Sequence, residues 1–374
     1  MRSHVIKNTI VGTLLFSWIL LFSGYPPAMA SAEGWRFTTP CASNPGEEPV
    51  IARNGYLYTF GIGGYQWTTI DPKGTLGNWT TVLVTLYLGI RPGVATTSNL
   101  IYVAGGRTSS DGLVPPQNQL WYAGFNPDGS LVNIVVQDNP KLQTRRWFHS
   151  SLILKGRLYC FGGYSNSYRP AGALASVEFG SINSDSSVGP FQYTSSFSQI
   201  SGAVFIAFNS GDTVYCFGSN PSQSTTYLEE AVLNPDGTLS PWILFAGPFP
   251  FAGPTVLTSR TTLFLVQNYN ISTTPQPYNV TYKSGFNPTV GINNFLSASH
   301  TLTPRYNSII ATWNRFVFQL GGQNPNPPYD YYNSVELYDP DLADTTLFPD
   351  SSMVFPSQSM HILEIPSDVE RKNE

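Results

Sequence analysis

A two-part motif recurs six times along this chain, and that repetition constrains its fold more than any other feature. The first part is an apolar hairpin running into glycine. It occupies residues 50–64, 94–106, 150–163, 203–218, 255–268 and 308–322, the fifth copy ending on Asn268 instead. Leu158-Tyr159-Cys160-Phe161-Gly162-Gly163 can be laid over Leu100-Ile101-Tyr102-Val103-Ala104-Gly105-Gly106 and over Phe316-Val317-Phe318-Gln319-Leu320-Gly321-Gly322. The second part is a strand running into an Asx-type turn with an aromatic or apolar residue beyond it. Its copies are Asp71-Pro72-Lys73-Gly74 leading to Trp79, Asn126-Pro127-Asp128-Gly129 to Ile134, Asn183-Ser184-Asp185-Ser186 to Phe191, Asn234-Pro235-Asp236-Gly237 to Trp242, and Asn287-Pro288 to Phe295, with a degenerate sixth at Tyr338-Asp339-Pro340.

Each part has a physical reason. Strands of roughly five or six residues rich in aromatic and β-branched side chains fill the space between facing sheets. Paired glycines at a strand end remove Cβ where backbones from adjacent sheets crowd, and they permit positive φ. In Asn-Pro-Asp-Gly a side-chain acceptor opens the turn, proline presets φ and glycine closes it. Composition agrees: 33 glycines, 30 prolines and 11% charged residues, with no run of Ala, Leu, Glu and Lys, suit short strands joined by turns and not helices.

The glycine landmarks return every ~42–57 residues, which brackets the ~50-residue kelch period and fits one four-stranded blade per repeat. The turns Lys73-Gly74-Thr75-Leu76-Gly77-Asn78-Trp79 and Asp236-Gly237-Thr238-Leu239-Ser240-Pro241-Trp242, with Arg146, His149 and Ser150 at the start of a hairpin, resemble the kelch family in its bacterial secreted form, a relative of the galactose oxidase central domain. Two departures are visible: Gly-Gly becomes Gly218-Ser219 in the fourth repeat and is missing near Asn268 in the fifth. The resemblance implies an all-β fold, a six-bladed kelch-type β-propeller of four-stranded antiparallel blades over residues 31–364, with Trp79 and Trp242 on outermost strands. Trp35-Arg36-Phe37-Thr38-Thr39-Pro40 is expected to complete the sixth blade beside residues 334–338, so that no sheet edge is left by an open ring. The competing strand is residues 345–349, with 360–365 as an added β segment on the rim and 365–374 as a charged tail.

Residues 1–30 read as an export signal, since Arg2 and Lys7 precede an apolar run over 11–22 and the small-residue site Ala28-Met29-Ala30 follows. That run is below the ~18–20 residues that span a bilayer, and no later stretch reaches that length, so the mature chain is expected to be secreted or periplasmic with no membrane span. Three cysteines, Cys41, Cys160 and Cys216, leave an odd thiol after any pairing; Cys160 and Cys216 occupy matching repeat positions and are expected to be buried and free. A formal net charge of −4 supplies no basic face for nucleic acid, so none is expected as a partner, and the chain is expected to be a monomer.

Material for catalysis is thin. Outside the signal the histidines are His149, His300 and His361, without metal-ligand spacing, and no metal or cofactor is expected. Galactose oxidase holds copper with tyrosines and histidines, but no local copy of that set occurs here. His149 reads as a structural imidazole bonded to backbone. Glu178, Glu229 and Glu336 stand on third strands; they read as an exposed strand face, or, in a kelch-type sialic-acid epimerase, as a general acid–base beside an arginine. No nucleophile elbow or phosphate loop is present.

The loops after the glycines are more distinctive: 107–119, 164–172, 269–279 and 323–333. In a propeller these share a face with the segments that cross from blade to blade, which carry Arg91, Arg145 and Arg305. Topology therefore gathers Arg107, Tyr164, Tyr168 and Arg169 from the second and third blades around one channel mouth with those arginines. Tyr269, Tyr278, Tyr329, Tyr331 and Tyr332 join them from the last two blades. Tyrosine and arginine are the residue types of binding surfaces. The leading expectation is an extracytoplasmic recognition protein for carbohydrate or a protein partner, the alternatives being a sugar-acting oxidase or epimerase and a structural surface component. Sequons at Asn78, Asn270 and Asn279 are explained by chance in an Asn- and Thr-rich chain.

Overall fold

The protein is seen in a computed structural model that describes residues 34–45, 49–87, 90–108, 114–166, 171–249, 255–258, 262–266, 280–293, 295–325 and 330–339. The expected segments 1–30, 345–349 and 360–374 lie outside the described residues. The described chain contains strands and no helix, arranged as six antiparallel sheets in a ring.

Strand β1 is Trp35–Thr38. Blade 1 follows with β2 (Val50–Arg53), β3 (Tyr56–Thr69) and β4 (Thr80–Tyr87). Here β3 supplies two blade strands at once: it turns back about Gly63, whose φ is +88°, and Ile70 N–H returns to donate to Gly55 O at 2.7 Å. Blade 2 is β5 (Gly93–Thr96), β6 (Leu100–Ala104), β7 (Leu120–Phe125) and β8 (Leu131–Gln137). Blade 3 is β9 (Ser150–Leu154), β10 (Arg157–Phe161), β11 (Val177–Ser181) and β12 (Gln192–Thr194). Blade 4 is β13 (Val204–Ser210), β14 (Thr213–Asn220), β15 (Thr225–Val232) and β16 (Ile243–Phe249).

Blade 5 is β17 (Thr255–Thr258), β18 (Thr262–Val266), β19 (Val280–Asn287), β20 (Gly291–Ile292) and β21 (Leu296–His300), the last two both pairing with β19. Blade 6 is β22 (Ile309–Trp313), β23 (Phe316–Leu320) and β24 (Val335–Tyr338). Its fourth strand is β1, in the register Trp35↔Tyr338 through Thr38↔Val335, so the start of the described chain closes the ring as the sequence led one to expect.

The core lies between the blades. Six apolar clusters each draw on two neighbours: Phe60 with Val103 across blades 1 and 2, Tyr102 with Leu158 across 2 and 3, Phe161 with Trp242 across 3 and 4. Phe217 with Leu265, Phe264 with Val317, and Phe318 with Leu57 complete the circle. Trp79 and Trp242 stand just before the outermost strands β4 and β16, not on them. Each ties down the preceding blade, Trp79 Nε1 donating to Thr39 O beyond β1 and Trp242 Nε1 to Ser195 O beyond β12. Cys41, Cys160 and Cys216 are buried and free, the last two in different seams.

The glycine pairs act where the sequence placed them. Gly105 and Gly162 have φ of +65° and +62°, and a Cβ on Gly105 would fall 2.4 Å from Arg146 O of the next blade. That closeness lets Gly106 N–H donate to Arg146 O and Gly163 N–H to Gly202 O, joining successive blades through backbone alone.

Candidate functional site

The site lies where each blade is entered from the one before. Two residues ahead of the innermost strands β5, β9 and β22 stand Arg91, Phe148 and Asn307, with φ of +50°, +58° and +59°. Asparagine tolerates this left-handed backbone; phenylalanine and arginine do so at a cost of about 1–2 kcal/mol each. Blade 4 reaches a similar result by another route, a β-bulge between Val204 and Ile206 that throws out Phe205.

These irregularities bring together side chains from three consecutive blades. Phe148 N–H donates to Arg91 O at 2.8 Å, and Val204 N–H reaches Phe148 O at 3.4 Å. The Arg91 guanidinium lies 3.9 Å from the centre of the Phe148 ring. Phe148 meets Phe205 edge to face at 5.9 Å and 85°, and lies nearly parallel to Tyr164 at 6.4 Å. Arg107 repeats the arrangement one step outward, its guanidinium 4.2 Å above Trp147, whose Nε1 donates to Asn166 O. Phe148 and Phe205 are half-buried; Arg91, Arg107 and Tyr164 are nearly covered, at 6%, 7% and 3% exposure. The result is a patch of aromatic faces edged by guanidinium groups, whose cation–π contacts hold the rings and the charges in fixed relation.

Isolated bridges Ile90↔Arg107, Trp147↔Tyr164 and Tyr306↔Gln323 bind the crossing segments to the loops after the glycines, so the two sets of loops share one face. Of the residues expected at the mouth, Arg91, Arg107 and Tyr164 come together in this patch. Arg145 is exposed beside it. On blade 6 Tyr331 is 48% exposed and Tyr332 half-buried, its ring 5.0 Å from the Arg305 guanidinium. Tyr168, Arg169, Tyr269, Tyr278 and Tyr329 lie outside the described residues.

Arg305 has another task. It is fully buried, donates to Gly321 O and Ser334 O, and pairs with Glu336 at 2.8 Å. Arg146 does the same in blade 3, bonding Gly162 O and pairing with Glu178 at 2.6 Å. The three glutamates are not an exposed strand face: each is wholly buried and receives the crossing segment of its own blade. Glu178 accepts from the amides of Gln143 and Thr144, Glu229 from those of Ser198, Gln199 and Ile200, and Glu336 from those of Leu302 and Thr303. A carboxylate in the interior is stable only when its lone pairs are met in this way, and these are. They latch the turn between blades and leave little acceptor capacity for proton transfer.

His149 also departs from expectation. Its imidazole is buried, but neither ring nitrogen has a hydrogen-bond partner. Burial first, and then the Arg146 charge, hold it well below the ordinary histidine value. Among the described residues no three His, Cys, Asp or Glu side chains are grouped to hold a metal ion.

Phe148, Phe205 and Trp147 were not singled out by the sequence. A signal existed for Phe148: aligning Arg146-Trp147-Phe148 with Arg305-Tyr306-Asn307 puts phenylalanine where its counterpart is asparagine, a residue of turns.

The sequence matches no family model. It also matches no curated protein. Among solved structures it is similar to one titled "Structure of YjhT", with a TM-score of 0.57 and 14% identity over 81% of this chain and 99% of that one, a likeness of architecture alone.

Proposed function

We propose that this chain is an exported recognition protein of the kelch type that holds a carbohydrate at the channel mouth formed by Arg91, Phe148 and Phe205. The observation that carries this reading is the backbone of Phe148. A large ring in the left-handed region is disfavoured where asparagine serves in blade 6, so the ring is retained for where it points. An aromatic face offers the flat apolar area on which the C–H side of a sugar ring stacks, Arg91 holds the Phe148 ring in place, and the exposed Arg145 beside it offers donors to hydroxyls. The kelch assignment is supported by the repeat period, the outer turns and the glycine pairs. Export is supported by the charged, apolar and small-residue order of residues 1–30.

Glutamates consumed by backbone amides and arginine speak against acid–base catalysis at Glu178 or Glu336, which favours binding over turnover. The test is a glycan array, with a protein-fragment array beside it, probed with the mature chain and with Phe148→Asn and Arg91→Ala variants. Sugar signal lost by about tenfold or more in both variants supports the reading. Signal that both variants retain, or binding confined to the protein fragments, rejects it.

A further inference from the structure

His149 occupies its place because two glycines of blade 2 leave room for it. A Cβ built on Gly93 would lie 2.4 Å from its Nε2, and one on Gly105 would lie 3.1 Å from its Cε1. The imidazole therefore fills the seam between blades 2 and 3. Ser151 Oγ approaches the same point at Gly93, within 2.1 Å, and lies 3.5 Å from Cys160 Sγ. The equivalent position in blade 6 is Ser308, which the Gln319 side-chain amide bonds at 2.7 Å; that seam is built without an imidazole.

The charge that acts on His149 is Arg146 of the crossing segment; Glu178 of β11 pairs with Arg146, and Cys160 of β10 lies beside Ser151. From blade 2, β5 and the end of β6 present Gly93 and Gly105, with Arg91 two residues before Gly93. Glu178 is already engaged by Arg146 and two amides, so a second positive charge in this seam would find no counter-ion.

The residue before His149 is Phe148, which spans this same seam: its amide donates to Arg91 O and its ring carries the Arg91 guanidinium. We propose that the seam between blades 2 and 3 is an acid-sensitive gate, in which neutral His149 keeps Arg91 and Phe148 joined across the mouth and protonated His149 must leave the seam and part them. The direction follows from linkage. Burial and Arg146 lower proton affinity in the folded state, so the unfolded or opened chain takes up the proton first. The seam is at full strength above about pH 6.5 and weakens as pH falls below it. This concerns the seam whether or not the mouth binds sugar; if it does, acid release of the ligand follows.

Hydrogen exchange of the full chain without ligand tests it, between about pH 7.5 and about pH 5 and corrected for intrinsic rates. Protection of the Phe148 and Gly106 amides, which both cross this seam, is expected to fall by roughly tenfold or more on acidification. The Tyr306 amide, which bonds Gln323 O within blade 6 and crosses no seam, should hold. In His149→Ser, which copies Ser308, the acid response should vanish. Unchanged protection in the natural protein, equal loss at Tyr306, or the same acid loss in His149→Ser overturns the proposal. Should that variant not fold, proton NMR of the His149 ring decides: a titration at the ordinary histidine value overturns the gate, and a titration displaced to lower pH together with loss at Phe148 upholds it.

Discussion

The Tyr159 hydroxyl donates to Gly237 O at 2.6 Å, so a phenol on the second strand of blade 3 holds the outer turn of blade 4. The same link joins Tyr58 to Gly129 O and Tyr102 to Ser186 O, and more loosely Tyr215 to Pro288 O at 3.4 Å. In blade 6 the position is Phe318, which has no hydroxyl to give.

Removing one of these hydroxyls leaves a carbonyl beside an apolar ring. Tyr159→Phe is expected to cost about 1–2 kcal/mol in urea unfolding, and Tyr215→Phe less, because its bond to Pro288 O is long and its other partners, Glu230 and Thr213, are partly exposed and can turn to water. Equal costs for the two would mean that the seam is held by ring packing and not by the phenol.

These links show how far the sequence could be followed. The Asn-Pro-Asp-Gly turns and the Leu-Tyr strands were both legible as repeats, and each has a local cause, turn chemistry in one and strand propensity in the other. That one reaches into the next blade's other could not be read, because it depends on the ring bringing Tyr159 beside a residue far along the chain. The buried glutamates failed for a similar reason. An isolated carboxylate on a strand reads as exposed, and only the crossing segment folding over Glu178 supplies the amides that make burial tolerable. The shared loop face was legible in its topology, but the side-chain contacts on it were not. Arg91, Arg107 and Tyr164 were placed by the blade plan, whereas Phe205 depends on a bulge, and a bulge leaves no mark on the hydrophobic pattern.

The Arg146–Glu178 latch should be costly to break from one side. Arg146→Ala strands a carboxylate in the interior and is expected to lose about 3–5 kcal/mol, whereas Arg145→Ala, at an exposed position next to it, should stay within about 0.5 kcal/mol. Adding Glu178→Gln to Arg146→Ala should recover part of the loss, since it removes the uncompensated charge. Chemical denaturation of the three variants checks this, and a double variant no more stable than Arg146→Ala would count against an electrostatic latch.

The three thiols should be silent in the folded protein. Burial pushes Cys41 and Cys160 up to about 12 and Cys216 well above the ordinary thiol value. At about pH 8 no thiolate is presented to a disulfide reagent, and all three should react only on adding denaturant. Since the folded state keeps these protons longer than the unfolded one, their contribution to stability is whole below the ordinary thiol value of 9.0 and declines as pH rises toward about 12. Rapid labelling of any of them at neutral pH without denaturant would show a seam open to solvent.

Phe148→Asn separates stability from binding. The left-handed backbone at Phe148, φ +58°, disfavours a large side chain by about 1–2 kcal/mol, and asparagine, which blade 6 already uses at Asn307, relieves most of it. Against that gain stands the contact of the ring with Phe205, Tyr164 and the Arg91 guanidinium, together worth about 1–2 kcal/mol at a half-buried site. The two nearly offset, so thermal unfolding should move by no more than a few degrees while affinity for the proposed sugar ligand falls. A ring kept for structure would behave in the opposite way, with a marked drop in unfolding temperature and undiminished binding. Measuring both on one preparation therefore shows whether the ring is held for the ligand or for the fold.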